Sequence, residues 1–467
     1  MERMRKMTID QALKQLEQEM IESVQAVVRY PSVRGEAKPG MPFGEDIDKC
    51  YRYTMALAEK LGFATKDFDG YAGHAELGGG EEVIGILGHL DTVPHGDGWD
   101  LDPCSGAIVD GKIFGRGIVD DKGPAIAALY AAKAVEMAGV PMNKKVRVVF
   151  GLDEETGFGC MDYYLPRAGE PDCAFVPDGY FPVIYGEKGL LRFLLEGKFT
   201  GENAEGVTVK EIHGGERFNM VPDKCMARIS GKMDIAAAVA AWKETTGESI
   251  ACERDGEDYI LSTKGLSAHG SMPELGINAV TMLLRFLATL PLGEELAGAV
   301  QFYLAHIVGH NGENLGCGFE DDISGKLNCN IGILHYDGSE LKITMNIRYP
   351  IRCTQEQVYD GIRGVLVGSG YVLTHLGSSE PLYADPKGAL VSKLMQAYEE
   401  VTGDHENKPF TIGGGTYART MKNAVAFGPV FPGREEVAHQ KNEYISVEDL
   451  VNCMKIYARA LELLLKE

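Results

Sequence analysis

Imidazoles and carboxylates recur in this chain directly after short apolar runs. The run EEVIGILG at 81–88 hands over to His89-Leu90-Asp91, and KVRVVFG at 145–151 hands over to Asp153-Glu154-Glu155-Thr156-Gly157. A further run around 174–176 leads to Asp178, and GRGIVDDKG at 115–123 sets Asp120 and Asp121 just ahead of a helical stretch. In an open α/β sheet, ligands bind beyond the carboxyl ends of the strands. If these runs are neighbouring strands, their acids and imidazole converge on one small volume. Converged carboxylates repel and hold their protons unless a cation compensates them, so the pattern implies metal. Imidazole with carboxylate suits zinc first, with manganese or cobalt as alternatives, because the set contains no thiolate. A carboxylate between two ions bridges them, and two such ions share an activated hydroxide. In His-x-Asp, the imidazole takes metal through one nitrogen while a carboxylate fixes the other N–H. Two consecutive glutamates in a sharp turn point apart, so one can ligate while the other handles a proton.

Each element has an ordinary reading when taken alone. A lone HxD is common in surface loops, Asp120 or Asp121 could serve as a helix N-cap, a Glu pair is usually solvated, and Asp178 could be a turn residue. Their shared placement at successive strand ends favours the metal site. His306 and His310 stand four apart on an expected helix, a spacing seen in zinc proteases. Ile307 nevertheless occupies the position where HExxH needs its glutamate, so the two histidines read as structural or lid residues.

The elements that must position these groups follow from hydrophobic patterning. Residues 122–138 (KGPAIAALYAAKAVEMA) form an Ala-rich helix with Pro124 near its start, where proline is tolerated. Strands are expected at 81–88, 145–151 and around 174–176, and a helical stretch at 161–165. This β-α-β-α-β succession predicts an α/β fold: a mostly parallel twisted sheet flanked by helices. From about 190 the texture becomes α+β. Strands are expected in 190–201, 257–265, 342–351 and 371–377, and helices at 277–290 and 354–366. The α/β texture resumes after about 382 and ends in a helix at 447–465. We therefore expect a catalytic domain in two parts, 1–187 and 383–467, interrupted by an inserted α+β lid domain at 188–382.

Composition limits the function classes. The chain has 467 residues, with 46 Lys plus Arg against 68 Asp plus Glu, a net charge of −22. Such a charge repels phosphate backbones and anionic lipid, so neither nucleic acid nor a membrane surface is expected as a partner. No apolar run reaches the roughly 18 residues a membrane span needs. The first 28 residues mix charge into a helical apolar period, which reads as an amphipathic helix and not a signal peptide. The ten cysteines are scattered without a CxxC pair, which suggests reduced thiols and a cytoplasmic location. A disulfide scaffold, a zinc ribbon and a coiled coil are excluded.

GHLDTVP at 88–94, GRGIVDDKG at 115–123, DEETG at 153–157, PDG at 177–179, SAHGSMPELGINA at 267–279, GGGTYAR at 413–419 and AHQKNEY at 438–444 occur in this order. Together they resemble one family across essentially the whole chain. It is the di-metal (zinc) peptidase family of glutamate carboxypeptidase, aminoacylase and succinyl-diaminopimelate desuccinylase, with the nearest likeness to bacterial PepV-type, carnosinase-like dipeptidases. The resemblance implies His89 and Asp178 as ligands of one metal and Asp120 as the bridging carboxylate. It implies Glu155 and His439 as ligands of the second metal, Asp91 as the carboxylate orienting His89, and Glu154 as general base. His269 would stabilise the oxyanion from the lid. Asn219 and Arg348 would be further lid contacts, and Gly413, Gly414 and Gly415 would hold the product carboxylate. The implied reaction is hydrolysis of a short unblocked peptide, a dipeptide above all, by a metal-bridged hydroxide with two divalent ions bound. The long lid implies a monomer. An N-acyl-amino-acid deacylase or desuccinylase is the enzymatic alternative, and a metal- or amino-acid-binding module the non-enzymatic one.

Overall fold

The computed structural model describes residues 7–203 and 205–466. These residues divide into two compact units, one drawn from within 1–186, 383–410 and 415–467, the other from within 187–382 and 411–414.

In the first unit the strand Val83–His89 is buried at every position, as a strand covered on both faces must be. It pairs in parallel with Lys145–Gly151 on one side and Cys173–Val176 on the other, and Ala424–Ala426 continues the parallel run beyond Cys173–Val176. The sheet is therefore parallel at its centre. Towards one edge it turns antiparallel through Ala72–Gly78 and Ala64–Phe68, a hairpin absent from the sequence-based expectation. The Ala-rich helix Lys122–Met137 is almost wholly buried, since small side chains let it lie close to the sheet. Gly88 leaves room for that approach: a Cβ there would sit 2.7 Å from Ala125 Cβ and 2.8 Å from Asp121 Oδ2. The helix Ile9–Val28 opens on a capping box, with Thr8 and Gln11 exchanging side-chain and backbone bonds. Residues 1–6, which the sequence reading included in this helix, lie outside the described residues. The helix Val447–Leu465 is capped by Ser446, whose hydroxyl accepts from the Asp449 amide.

The second unit is an eight-stranded sheet in which every neighbouring pair is antiparallel. Gly189–Lys198 alternates buried and half-buried residues along most of its length, the period-two pattern of a sheet with one face on a core. That core includes Phe193, Leu195, Ile343 and Met345 from strands and Val280, Leu284 and Ile362 from helices. His306 and His310 depart from expectation. The helical turn Tyr303–Ile307 ends before Val308, whose backbone is extended, so His310 lies beyond the helix. The pair consequently lacks the one-face spacing of a metal-binding helix.

Candidate metal centre

The acidic and imidazole groups gather at the carboxyl edge of the parallel strands of the first unit. His89 ends Val83–His89, the DEETG turn follows Lys145–Gly151, and Asp178 follows Cys173–Val176. Asp120 precedes Lys122–Met137, the helix that crosses over between the first two of these strands. His439 arrives from the segment after Ala424–Ala426. Two groups of ligand atoms result, His89 with Glu154 and Asp178, and Asp120 with Glu155 and His439, the atoms of each lying within 4.8 Å of one another.

Asp120 joins the groups. Its Oδ1 is 2.8 Å from His89 Nε2 and its Oδ2 is 2.8 Å from His439 Nε2. His89 Nε2 also lies 3.7 Å from Asp178 Oδ2, and His439 Nε2 lies 3.1 Å from Glu155 Oε1. Burial works against a charged His89, yet Asp120 and Asp91 outweigh it and hold the imidazole well above its usual range. Burial drives Asp178 up to about 8, with the Asp120 charge adding to the effect. Burial, and after it the Asp178 charge, also raises Glu154 well above the carboxylate range. His439 and His89 overcome burial and hold Asp120 well below the carboxylate range, whereas Asp178 and Glu154, farther from compensating charge, resist ionisation. Two imidazoles and four carboxyls, with no thiol among them, fit a pair of divalent cations.

The Asp91 carboxylate stands beside His89, as expected of an orienting group, and reaches further. The Nδ1–H of His89 donates to the backbone carbonyl of Asp91 at 3.0 Å, while the carboxylate oxygen is 3.5 Å away. That carboxylate also accepts the amides of Glu154 and Glu155, at 3.0 and 3.1 Å. It therefore fixes the turn carrying both glutamates. Asp153 braces the same turn, accepting from Arg34, from the Thr156 hydroxyl and from the Gly159 amide. Asp121 occupies the N-cap position of Lys122–Met137 but makes no cap bond, accepting the His89 amide instead at 3.1 Å. Tyr417 is fully buried, with its ring 6.1 Å from the His89 ring and its hydroxyl 2.9 Å from Cys160 Sγ. Gly151 leaves the space that this phenol fills. Tyr417 and Arg116 lie within the motifs GGGTYAR and GRGIVDDKG, which by themselves assign neither a role. Neither has a periodicity that would single it out.

The second unit gathers most of the expected substrate contacts. His269 is exposed, its Nδ1 lies 2.6 Å from the Ser271 hydroxyl, and the Gly270 amide donates to the Asn219 carbonyl at 2.7 Å. A Cβ on Gly413 would lie 3.1 Å from Ser271 Cβ, and Arg348 donates to the Gly413 carbonyl at 3.1 Å. Arg348 is buried, with its Nε donating to Asn346 Oδ1 at 3.1 Å. Gly414 belongs to this unit as well, whereas Gly415 belongs to the first.

A centrally parallel sheet with two linked imidazole–carboxylate groups at its carboxyl edge is built to hold metal ions, and the family match makes the chain a metallopeptidase. The chain belongs to peptidase family M20/M25/M40, whose pattern spans residues 85–463. It is 38% identical over 451 residues to "Putative dipeptidase YtjP" of Bacillus subtilis (strain 168), covering 95% of this chain and 96% of that protein. It is 35% identical over 461 residues to "Putative dipeptidase SSP1012" of Staphylococcus saprophyticus, covering 96% and 97%. Among solved structures it shares its fold with human carnosine dipeptidase 1, with a TM-score of 0.59, 16% identity and 98% of each chain covered. The dipeptidase Dug1p of Saccharomyces cerevisiae gives a TM-score of 0.60, 13% identity and the same coverage of both chains. Among the described residues no helix is long and apolar enough to cross a membrane.

Proposed function

We propose that this enzyme is a dipeptidase that hydrolyses short peptides with a free amino terminus using two divalent cations. The observation that carries the reading is the single carboxylate of Asp120 placed between the imidazoles of His89 and His439, one oxygen to each. His89 and Asp178 would hold one cation, Glu155 and His439 the other, with Asp120 shared. Bound there, the cations supply Lewis acidity to water and to the scissile carbonyl. Zinc fits the donors first, manganese or cobalt next.

Glu154 takes a proton from the attacking water and passes it to the leaving amine. Asp91 keeps Glu154 in place through the turn amides. His269 donates to the oxygen on which negative charge develops, while Arg348, Asn219 and Gly413 to Gly415 receive the substrate and its carboxylate. In this reading residues 1–187 and 383–467 form the catalytic domain and 188–382 a lid, and a single chain in the cytoplasm completes the site. Full-length relatives named as dipeptidases support the substrate class.

The test is a panel of dipeptides, acetyl-amino acids and succinyl-amino acids given to chelator-treated enzyme resupplied with zinc, manganese or cobalt. Cleavage of free dipeptides only after metal return is expected. Preference for the acylated amino acids would make the enzyme a deacylase or desuccinylase, and full activity in chelator would overturn the metal reading.

A further inference from the structure

Two charged side chains near the candidate centre are buried without touching the ligand groups. Arg116 is 3% exposed and Glu443 is fully buried. Their guanidinium and carboxylate meet at 2.7 Å, across 327 positions of sequence. Arg116 stands four residues before Asp120, and Glu443 four residues after His439. The Glu443 carboxylate accepts the amides of Gly117 at 3.2 Å and Val119 at 2.9 Å, so it grips the backbone immediately before Asp120. Arg116 reaches the other way: its Nη2 donates to the His439 carbonyl at 3.4 Å and to the His95 carbonyl at 3.2 Å. The two segments are also tied by the Gly115 amide, which donates to the Glu443 carbonyl at 3.0 Å, and by a short antiparallel pairing of Tyr444–Ser446 with Lys112–Phe114.

His439 needs such support. Its φ is +62°, in the left-handed region that a residue with a Cβ enters at a cost and keeps only when its surroundings over-determine it. A buried ion pair is not in itself a source of stability, because desolvation offsets much of the attraction. A pair that grips the backbone beside two ligands from opposite ends of the chain has a more specific use. We propose that Arg116 and Glu443 are positioning residues that fix the separation of Asp120 and His439 and thereby set the affinity of the cation held by Asp120, Glu155 and His439. This inference rests on the two-cation reading above.

Substitution of groups that orient metal ligands typically costs about 10–100-fold in metal affinity. Arg116→Lys preserves the charge opposite Glu443, but one ammonium cannot reach Glu443, the His95 carbonyl and the His439 carbonyl together. Equilibrium dialysis of the metal-free full-length protein against Mn2+ should find two ions in the wild type. In Arg116→Lys the ion held by His439 should weaken by about 10–100-fold and the other, which shares only Asp120 with it, by clearly less, and thermal unfolding of the metal-free protein should stay close to wild type. Peptide hydrolysis by the variant should recover towards wild-type kcat as Mn2+ is raised, a rescue that a general packing defect would not give. The double variant Arg116→Met/Glu443→Gln, which leaves no unpaired buried charge, should show the same selective loss; should it fail to fold, Arg116→Lys alone decides. Wild-type affinity for both ions in Arg116→Lys would overturn the proposal, as would equal weakening of both with a large fall in thermal stability. A wild type that binds fewer than two ions would instead overturn the two-cation reading on which the proposal rests.

Discussion

Asp91→Asn separates two roles that the same carboxylate could play. The wild-type side chain accepts two amides, from Glu154 at 3.0 Å and from Glu155 at 3.1 Å. Asparagine offers one carbonyl oxygen, so one amide keeps a neutral acceptor while the other faces an NH2 donor. Hydrogen bonds to a charged group contribute about 1.5–3 kcal/mol each, so losing one and weakening the other costs about 2–4 kcal/mol. If that cost appears as displacement of Glu154 in the transition state, kcat falls about 30- to 1,000-fold. The bond from His89 Nδ1 goes to the Asp91 backbone carbonyl, and the substitution leaves it intact. Metal affinity should therefore change by less than about tenfold, below the 10–100-fold expected where a carboxylate orients a ligand. The assays are kcat for a dipeptide at saturating metal and equilibrium dialysis of the same preparation. Weakened metal binding with kcat restored by excess metal would show that Asp91 acts through His89. A kcat within threefold of wild type would show that the turn does not depend on it. Either result refutes the reasoning.

Glu154→Gln should lower kcat by at least about 10²-fold while both metals stay bound, and loss of one metal would make Glu154 a ligand, as its place beside His89 and Asp178 also allows. His269→Ala should cost about 10²–10³-fold in turnover at unchanged metal content; undiminished turnover removes it from the mechanism. His74 gives a pH dependence. Burial, helped by the Arg147 charge, lowers its imidazole to about 4, below the usual value near 6.5. The unfolded chain therefore binds the extra proton first, and the stability tied to neutral His74 is complete above about pH 6.5 and lost as pH falls towards 4. Between pH 7 and pH 5 urea unfolding of the wild type should lose about 2 kcal/mol more than that of His74→Gln, and equal losses would show that His74 is not held neutral.

How much of this was legible in the sequence depends on the kind of signal. Fully buried strands such as Val83–His89 and Lys145–Gly151 announce themselves as apolar runs, and the Ala-rich helix between them can pack closely on a sheet only because its side chains are small. Residues placed by strand ends inherit that legibility, which is why His89, the glutamate turn and Asp178 group together from the sequence alone. His439 was reached through resemblance, since the segment around it carries no strand or helix periodicity. The Arg116–Glu443 pair was illegible for a physical reason. Charged residues are mostly exposed, and nothing local shows that these two are buried against each other. The two amides that the Asp91 carboxylate accepts were hidden in the same way, because His-x-Asp spacing says nothing of the turn at Glu154 and Glu155. The expected helix through His306 and His310 failed at Val308, where the backbone becomes extended.

The central claim is that one carboxylate, Asp120, is shared by two cations. Anomalous diffraction from crystals of the wild-type enzyme grown with Mn2+ tests it directly. The account predicts two peaks, one against His89 and Asp178 and one against Glu155 and His439, with Asp120 in contact with both. A single peak, or a pair in which Asp120 touches only one ion, would contradict it.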